Sequence, residues 1–327
     1  MQTQSAGKEF FIGTDVGGTK IAVGLVDSHG NILALDRQGT DTSNPTATLD
    51  GIAVAVASFI KKNAIDPNKI HALGFGIPGL VDAASGLGIA SVNLGWKNIP
   101  VRKELESRLG IPCVIDNDVR AGALGEYRFG AAKGKQHLVY INIGTGMSAV
   151  ILENGRFVLG KHGVAGEIGH AVFEPGGRQC KCGGNGCLEA IVSGPGIADR
   201  ATMKIKAGQT SILSSQQISI DQPLSAEMVF AAALKQDPVG LSTIEEVSEF
   251  MAQALQVITL AYDPDIIVIG GSVFLESPIL YRLTIRKLQD YANRSWVFGT
   301  AFSEDLITLS ELGNNAGILG AAALVTS

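Results

Sequence analysis

His170, Cys180, Cys182 and Cys187 place one imidazole and three thiols inside the stretch GHAVFEPGGRQCKCGGNGCLEA, residues 169–190. Three thiolates and one neutral imidazole nitrogen complete a tetrahedral zinc shell and leave no position for water. Such a metal is structural: it holds a loop in shape instead of activating a nucleophile. Disulfide pairing is the competing use of these thiols. It needs an oxidising compartment, whereas the chain opens MQTQSAGKEF, without a basic-then-apolar leader. Cys180 and Cys182 are also too close in sequence to pair comfortably, and pairing would leave an odd thiol. The fourth cysteine, Cys113, sits in the apolar run Ile111-Pro112-Cys113-Val114-Ile115 and reads as a buried strand residue. Glu167, His170 and Glu189 lie within or beside the cysteine knot, so a bound metal would preorganise polar groups otherwise carried on loops.

Four glycine-rich turns follow apolar runs: Asp15-Val16-Gly17-Gly18-Thr19-Lys20, Gly76-Ile77-Pro78-Gly79, Gly144-Thr145-Gly146 and Gly270-Gly271-Ser272. Glycine lets backbone amides approach an anion, and Thr or Ser hydroxyls add donors. Singly, each is also an ordinary turn, since glycine is the default turn residue. None has the GxxxxGK[ST] spacing, and no GxGxxG fingerprint opens a helix after a strand, which weighs against a dinucleotide site. Asp15 beside a phosphate cradle would repel the anion unless Mg²⁺ stood between them; the alternative is a turn aspartate bonding its own backbone. Asp116-Asn117-Asp118 ends an apolar run, where strand-end carboxylates face the ligand crevice of α/β proteins. One of them can act as a general base, or the trio can simply cap the helix that follows. Glu167 and His170, three apart, together with Glu189 suit a polyhydroxylated ligand, because each hydroxyl both donates and accepts.

The elements that must hold these groups alternate. Residues 10–33 read as strand, glycine turn, strand, turn, strand, and residues 137–159 repeat that plan roughly 130 residues later, which suggests a duplicated domain. Helical spacing spans 47–63, 101–109, 118–127 and 242–261, with strands between, so the fold class is α/β with layered sheets. Residues 207–222, rich in Ser and Gln, read as a loop or insertion. The chain has 327 residues, enough for two domains, a formal net charge of −5 and no Lys/Arg cluster, which excludes a nucleic-acid surface. No apolar run is long enough to span a bilayer, and the expected location is cytoplasmic.

Taken in order, DVGGTK, VIDNDVRAGALGE, INIGTG, GVAGEIGH, EPGGRQCKCGGNGCLEA and DPDIIVIGGSV resemble the ROK family of sugar kinases and regulators, in type most like its bacterial glucokinases. The resemblance covers residues 10–323. It implies a two-domain actin-like ATPase (ribonuclease H-like) fold with a structural zinc loop: an N-terminal domain over 1–118, a larger domain over 119–313, and a last helix, about 314–327, returning to the first. It implies ATP-dependent phosphorylation of a hexose at its 6-hydroxyl, most simply glucose, with N-acetylmannosamine, mannose, fructose or allose as other acceptors. A non-catalytic sugar-sensing regulator is the other class. By the same resemblance Asp118 is the catalytic base, and Gly79, Asn93, Asn117, Asp118, Glu167, His170 and Glu189 bind the sugar. Asp15, Gly17, Gly18, Thr19, Lys20, Gly144, Thr145, Gly146, Gly270 and Gly271 hold the nucleotide, with Mg²⁺ at Asp15. His170 would be shared, one ring nitrogen on zinc and the other facing a hydroxyl. The expected assembly is a homodimer or homotetramer. Repressors of the family carry a DNA-binding domain ahead of the kinase-like body, for which a phosphate turn at Asp15 leaves no room. Where many family kinases continue the second phosphate turn with glycines, this chain has Met147-Ser148-Ala149.

Overall fold

The computed structural model describes residues 10–216 and 223–326; positions 217–222 of the polar stretch lie outside them. The chain forms two compact units, residues 1–134 with 311–327, and residues 135–310.

The first unit is built on a five-stranded sheet. Its strands are β1 (Phe10–Val16), β2 (Lys20–Asp27), β3 (Ile32–Gly39), β4 (Leu73–Ile77) and β8 (Cys113–Asn117), in the order β3-β2-β1-β4-β8. The first three form an antiparallel meander, while β4 and β8 run parallel to β1. A small antiparallel sheet of β5 (Leu80–Asp82), β6 (Leu87–Ser91) and β7 (Trp96–Ile99) interrupts the crossover between β4 and β8. Helix α1 (Pro45–Lys62) starts where Asn44 accepts a hydrogen bond from the Ala47 amide and Pro45 pre-sets the first turn. It buries Leu49, Ile52, Val56, Phe59 and Ile60, a stripe at helical spacing. Helices α2 (Val101–Leu109) and α3 (Asp118–Phe129) flank β8.

In the second unit the strands are β9 (His137–Ile143), β10 (Met147–Glu153), β11 (Arg156–Phe157), β12 (Ile266–Gly270) and β13 (Ile307–Leu309), in the order β11-β10-β9-β12-β13. The meander is again antiparallel, and the two late strands again run parallel to the first. The same topology therefore occurs twice. Helices α4 (Glu189–Val192), α5 (Gly194–Lys206), α6 (Ala226–Leu234) and α7 (Pro238–Tyr262) fill the long crossover, followed by α8 (Ser272–Leu275), α9 (Pro278–Arg294) and α10 (Trp296–Ala301). Asp237 caps the 25-residue α7 through the Gly240 amide, and Asp263, at φ 44°, ends it.

The last helix, α11 (Ala316–Leu324), packs on β1, β4 and α3 of the first unit. It is apolar all round and buried. Its backbone comes so close that side chains are excluded opposite it. Gly24, Gly13 and Gly74 are register partners on three adjacent strands. A Cβ on Gly13 would lie 2.1 Å from the Ile318 carbonyl oxygen, and one on Gly74 only 1.8 Å from that of Ala321. Gly320 meets α3 in the same way, 1.6 Å from the Ala121 carbonyl oxygen. Because α3 and α11 interlock through backbone, the helix that follows Asp118 belongs to the first unit. The division falls at 134/135 and 310/311, not at the expected 118/119 and 313/314. Replacing Gly74 with Ala is expected to cost about 3 kcal/mol or more by overpacking, read as a lower urea midpoint; an unchanged midpoint would show that α11 can lift off the sheet.

Candidate functional site

In the first unit, Asp15, Gly76 and Asp116 are lateral neighbours at the carboxyl ends of the parallel strands β1, β4 and β8. This is where open α/β sheets present ligand-binding groups. The Asp15 carboxylate lies over the first turn of α11, where a Cβ on Gly317 would be 2.7 Å from its Cγ. Burial raises the Asp15 pKa, with the Lys20 and Arg37 charges pulling the other way. Asp118, the first residue of α3, is pushed up to about 7 by burial and then by the Asp15 charge, opposed by hydrogen bonds from the backbone and the Asn117 amide.

Asn117 does several things at once. Its Oδ1 accepts from the Val119 and Arg120 amides, both at 3.0 Å, which caps α3. Its Nδ2 donates to the Gly79 carbonyl and to Asp118 Oδ1, each at 2.9 Å, and so aims the Asp118 carboxyl. Gly79 holds φ +105°, and a Cβ there would lie 2.3 Å from the Ala90 carbonyl oxygen, so only glycine fits. Arg120 was not singled out from the sequence. Its Nε meets Asp116 Oδ1 at 2.6 Å and its NH2 group donates to the Val81 carbonyl at 2.8 Å, anchoring the strand end. Its i,i+4 spacing from Asp116 was the available signal.

The first glycine turn is tight: the Gly17 amide donates to the Lys20 carbonyl at 2.8 Å, and Thr40 Oγ1 to the Gly17 carbonyl at 2.8 Å. Thr19 and Lys20 are exposed on it. Asn93 lies beside this turn, 3.2 Å from a Cβ placed on Gly18. Within this unit, then, the fold gathers Asp15, Asn117, Asp118 and Gly79 at the strand ends and sets Asn93 against Gly18.

In the second unit, one ligand atom each from His170, Cys180, Cys182 and Cys187 lie within 4.8 Å of one another. Cys180 Sγ is 3.8 Å from His170 Nδ1, and Cys182 Sγ is 3.7 Å from Cys187 Sγ. Tetrahedral zinc with ~2.3 Å Zn–S bonds spaces its sulfurs by about 3.8 Å, so the cluster could hold a zinc ion. Bridges between Val172 and Cys187 and between Gln179 and Asn185 fold the segment into a knuckle. The Cys180 amide donates to the Gly184 carbonyl at 2.7 Å across its tip. The other ring nitrogen of His170, Nε2, points away from the thiols, 3.8 Å from Glu167 Oε2.

Glu189 opens α4 and joins this knuckle to the second glycine turn. Its Oε2 accepts from the Met147 amide at 2.9 Å, while Oε1 lies 3.6 Å from Cys180 Sγ. A Cβ on Gly146 would come within 2.8 Å of the same carboxylate. The Gly194 amide secures the turn from the α5 side, donating to the Gly144 carbonyl at 2.8 Å. Gly270 and Gly271 have packing reasons to be glycine. Cβ atoms there would sit 2.4 Å from the Tyr140 hydroxyl and 2.2 Å from the Ile143 carbonyl oxygen, respectively. They border the end of β9, directly before Gly144.

Twin meander sheets, strand-end carboxylates and a Cys3His knuckle define a class, and the chain belongs to it: residues 11–327 match the ROK family, which has the actin-like ATPase fold. The glucokinase of Streptomyces coelicolor is 32% identical over 317 residues, covering 96% of each chain. A putative xylose repressor of Caldicellulosiruptor sp. is 30% identical over 288 residues, 85% of this chain and 68% of that one. Among solved structures, a ROK family glucokinase from Streptomyces griseus in complex with glucose and AMPPNP superposes with TM-score 0.76 at 30% identity, over 96% of this chain and 98% of that one. Among the described residues, no helix is long and apolar enough to cross a membrane.

Two outcomes follow from this geometry. Because folding raises the Asp118 pKa, the folded protein carries a cost that builds as pH rises from about 4 to about 7 and is constant above. Asp118→Asn should therefore stabilise the protein at pH 8 by on the order of 2 kcal/mol, with the gain fading toward pH 4; a pH-independent difference in melting temperature would contradict the buried-acid assignment. Elemental analysis should find one zinc per chain, and chelation should lower the melting temperature and speed hydrogen exchange over residues 170–189. Full protection without metal would mean that the knuckle folds on hydrogen bonds alone.

Proposed function

We propose that this chain is an ATP-dependent hexose kinase, with glucose as the acceptor, that transfers the γ-phosphoryl group of ATP to the sugar 6-hydroxyl. The observation that carries the reading is Asp118: a strand-end carboxyl, aimed by Asn117, whose pKa stands at about 7. A base tuned near the working pH is what removal of a hydroxyl proton asks for. The sugar 6-oxygen attacks the γ-phosphorus, its proton passes to Asp118, and the bond from phosphorus to the bridging oxygen breaks as ADP leaves. Phosphoryl transfer needs little covalent help, so positioning and charge neutralisation supply most of the acceleration. When bound with ATP, Mg²⁺ neutralises phosphate charge, and Asp15 is the residue that would hold it.

The remaining groups divide between two tasks. Gly17 to Lys20 and Gly144 to Gly146 would cradle phosphates, with Gly270 and Gly271 bordering the nucleoside. Gly79, Asn93, Asn117, Glu167, His170 and Glu189 would meet sugar hydroxyls. The His170 arrangement favours this: with Nδ1 turned to the thiols, Nε2 stays available beside Glu167. The metal's contribution is orientation. Reduced thiols on a metal suit a cytoplasmic setting.

A second reading, a sugar-sensing regulator without turnover, is favoured by the similarity to a putative xylose repressor. An assay coupled to ADP release, run over a panel of hexoses and amino-hexoses, separates the two. The kinase reading expects sugar-dependent ADP release, greatest with glucose; sugar binding with no ADP release on any hexose would move the assignment to the regulator. Asp118→Asn should lower kcat by about 10³-fold or more while leaving sugar affinity within a few-fold. For the unaltered protein, kcat/KM should fall as pH drops below about 7, where Asp118 takes up a proton.

A further inference from the structure

Glu126 lies in the last turn of α3, and its side chain is 0% exposed. Two things make that placement unfavourable. A carboxylate in a last turn opposes the helix macrodipole, and a buried charge must find partners to be tolerated. Its partners are specific. Oε2 accepts from the Ala131 amide at 2.9 Å, and Oε1 from the Leu312 amide at 3.1 Å. The Glu126 main-chain carbonyl accepts from the Gly130 and Ala132 amides, at 3.1 and 3.2 Å. A Cβ on Gly130 would lie 2.1 Å from Oε2, so a side chain there would displace the carboxylate.

The location of these amides matters. The chain leaves the first unit after residue 134 and returns at residue 311. Ala131 therefore precedes the outgoing crossing by a few residues, and Leu312 follows the returning one. One carboxylate holds both. The helix that carries it begins at Asp118, so the proposed base and the two crossings are fixed to opposite ends of one twelve-residue helix.

We propose that Glu126 is a positioning residue: it pins both covalent connections between the units to α3 and so sets the frame in which Asp118 works. A residue serving only the helix end would not need charge, burial and two amides from distant parts of the chain. Violations of local preference of this kind gather where function demands them. The activity consequence rests on the kinase reading; the clamp itself does not.

The test uses Glu126→Gln in the full-length protein. Glutamine keeps one acceptor oxygen and turns the other into a donor facing an N–H, so it breaks the clamp with little change in volume. Exchange of the Ala131 and Leu312 amides should speed up about tenfold or more with far-ultraviolet circular dichroism unchanged. Hexose-dependent kcat should fall about tenfold with the hexose KM within about twofold, and sugar-independent ATP hydrolysis should rise relative to phosphoryl transfer. Unchanged exchange at both amides would show that the carboxylate holds nothing. Faster exchange with an unaltered ratio of hydrolysis to transfer would show a purely structural clamp, as would activity restored in full by cooling. If the unaltered protein phosphorylates no hexose, the kinase reading fails, while the exchange result still decides the clamp.

Discussion

Asp15, near the end of β1, and Asp118, just past the end of β8, belong to the strands on either side of β4; both are drawn out of water, and the Asp15 charge acts on Asp118. Burial and like charge both disfavour ionisation, and the structure around them can be understood as management of that tension. Lys20 and Arg37 relieve Asp15 electrostatically. Asn117 gives Asp118 a hydrogen bond and no charge, which orients the carboxyl without cancelling its upward shift. Asp116, the third acid of the strand end, is paired with Arg120, which opposes but does not outweigh the upward push of burial. Burial raises the pKa of all three acids, and Asp118, which the Asp15 charge pushes further, reaches about 7.

The metal knuckle solves a different problem, how to stiffen a glycine-rich segment with little core of its own. It gathers one imidazole and three thiols from an 18-residue span, a set that could hold a zinc ion. Turning Nδ1 of His170 to the thiols fixes where Nε2 points. Glu189, through Oε2 on the Met147 amide, transmits the knuckle's position to the Gly144-Thr145-Gly146 turn. The linkage uses the backbone N–H of Met147, so the side chains of Met147-Ser148-Ala149, the stretch that departs from the family's glycine pattern, take no part in it. The departure in side chain therefore leaves the brace intact.

Much of this was legible in the residues, for reasons that differ by feature. Both meanders were visible because alternating apolar residues broken by glycine turns are a local signal. The metal ligands were visible because thiols are scarce and here crowd together. Long-range packing was not visible. The division of the chain was expected at 118/119 from the family resemblance; what keeps α3 in the first unit is backbone contact between Gly125 and Gly320, nearly two hundred residues apart in sequence. Glu126 reads like any surface acid in GALGEYRF, and only the return of Leu312 shows it to be enclosed. Gly270-Gly271 had the look of a phosphate turn, yet the crowding of Tyr140 and Ile143 already requires both glycines.

The duplication explains why such different devices sit at comparable points of the two sheets. In each, the turn between the first two strands of the meander follows a polar residue, Asp15 in one copy and Asn142 in the other, Asn142 being the register partner of Ser148 and Gly270. The first copy carries its carboxylate on the strand before the turn, whereas at the second the carboxylate comes from α4, where Glu189 Oε2 accepts from the Met147 amide. On the proposed kinase reading Asp15 would hold the metal at the first turn, while the second turn is braced by Glu189.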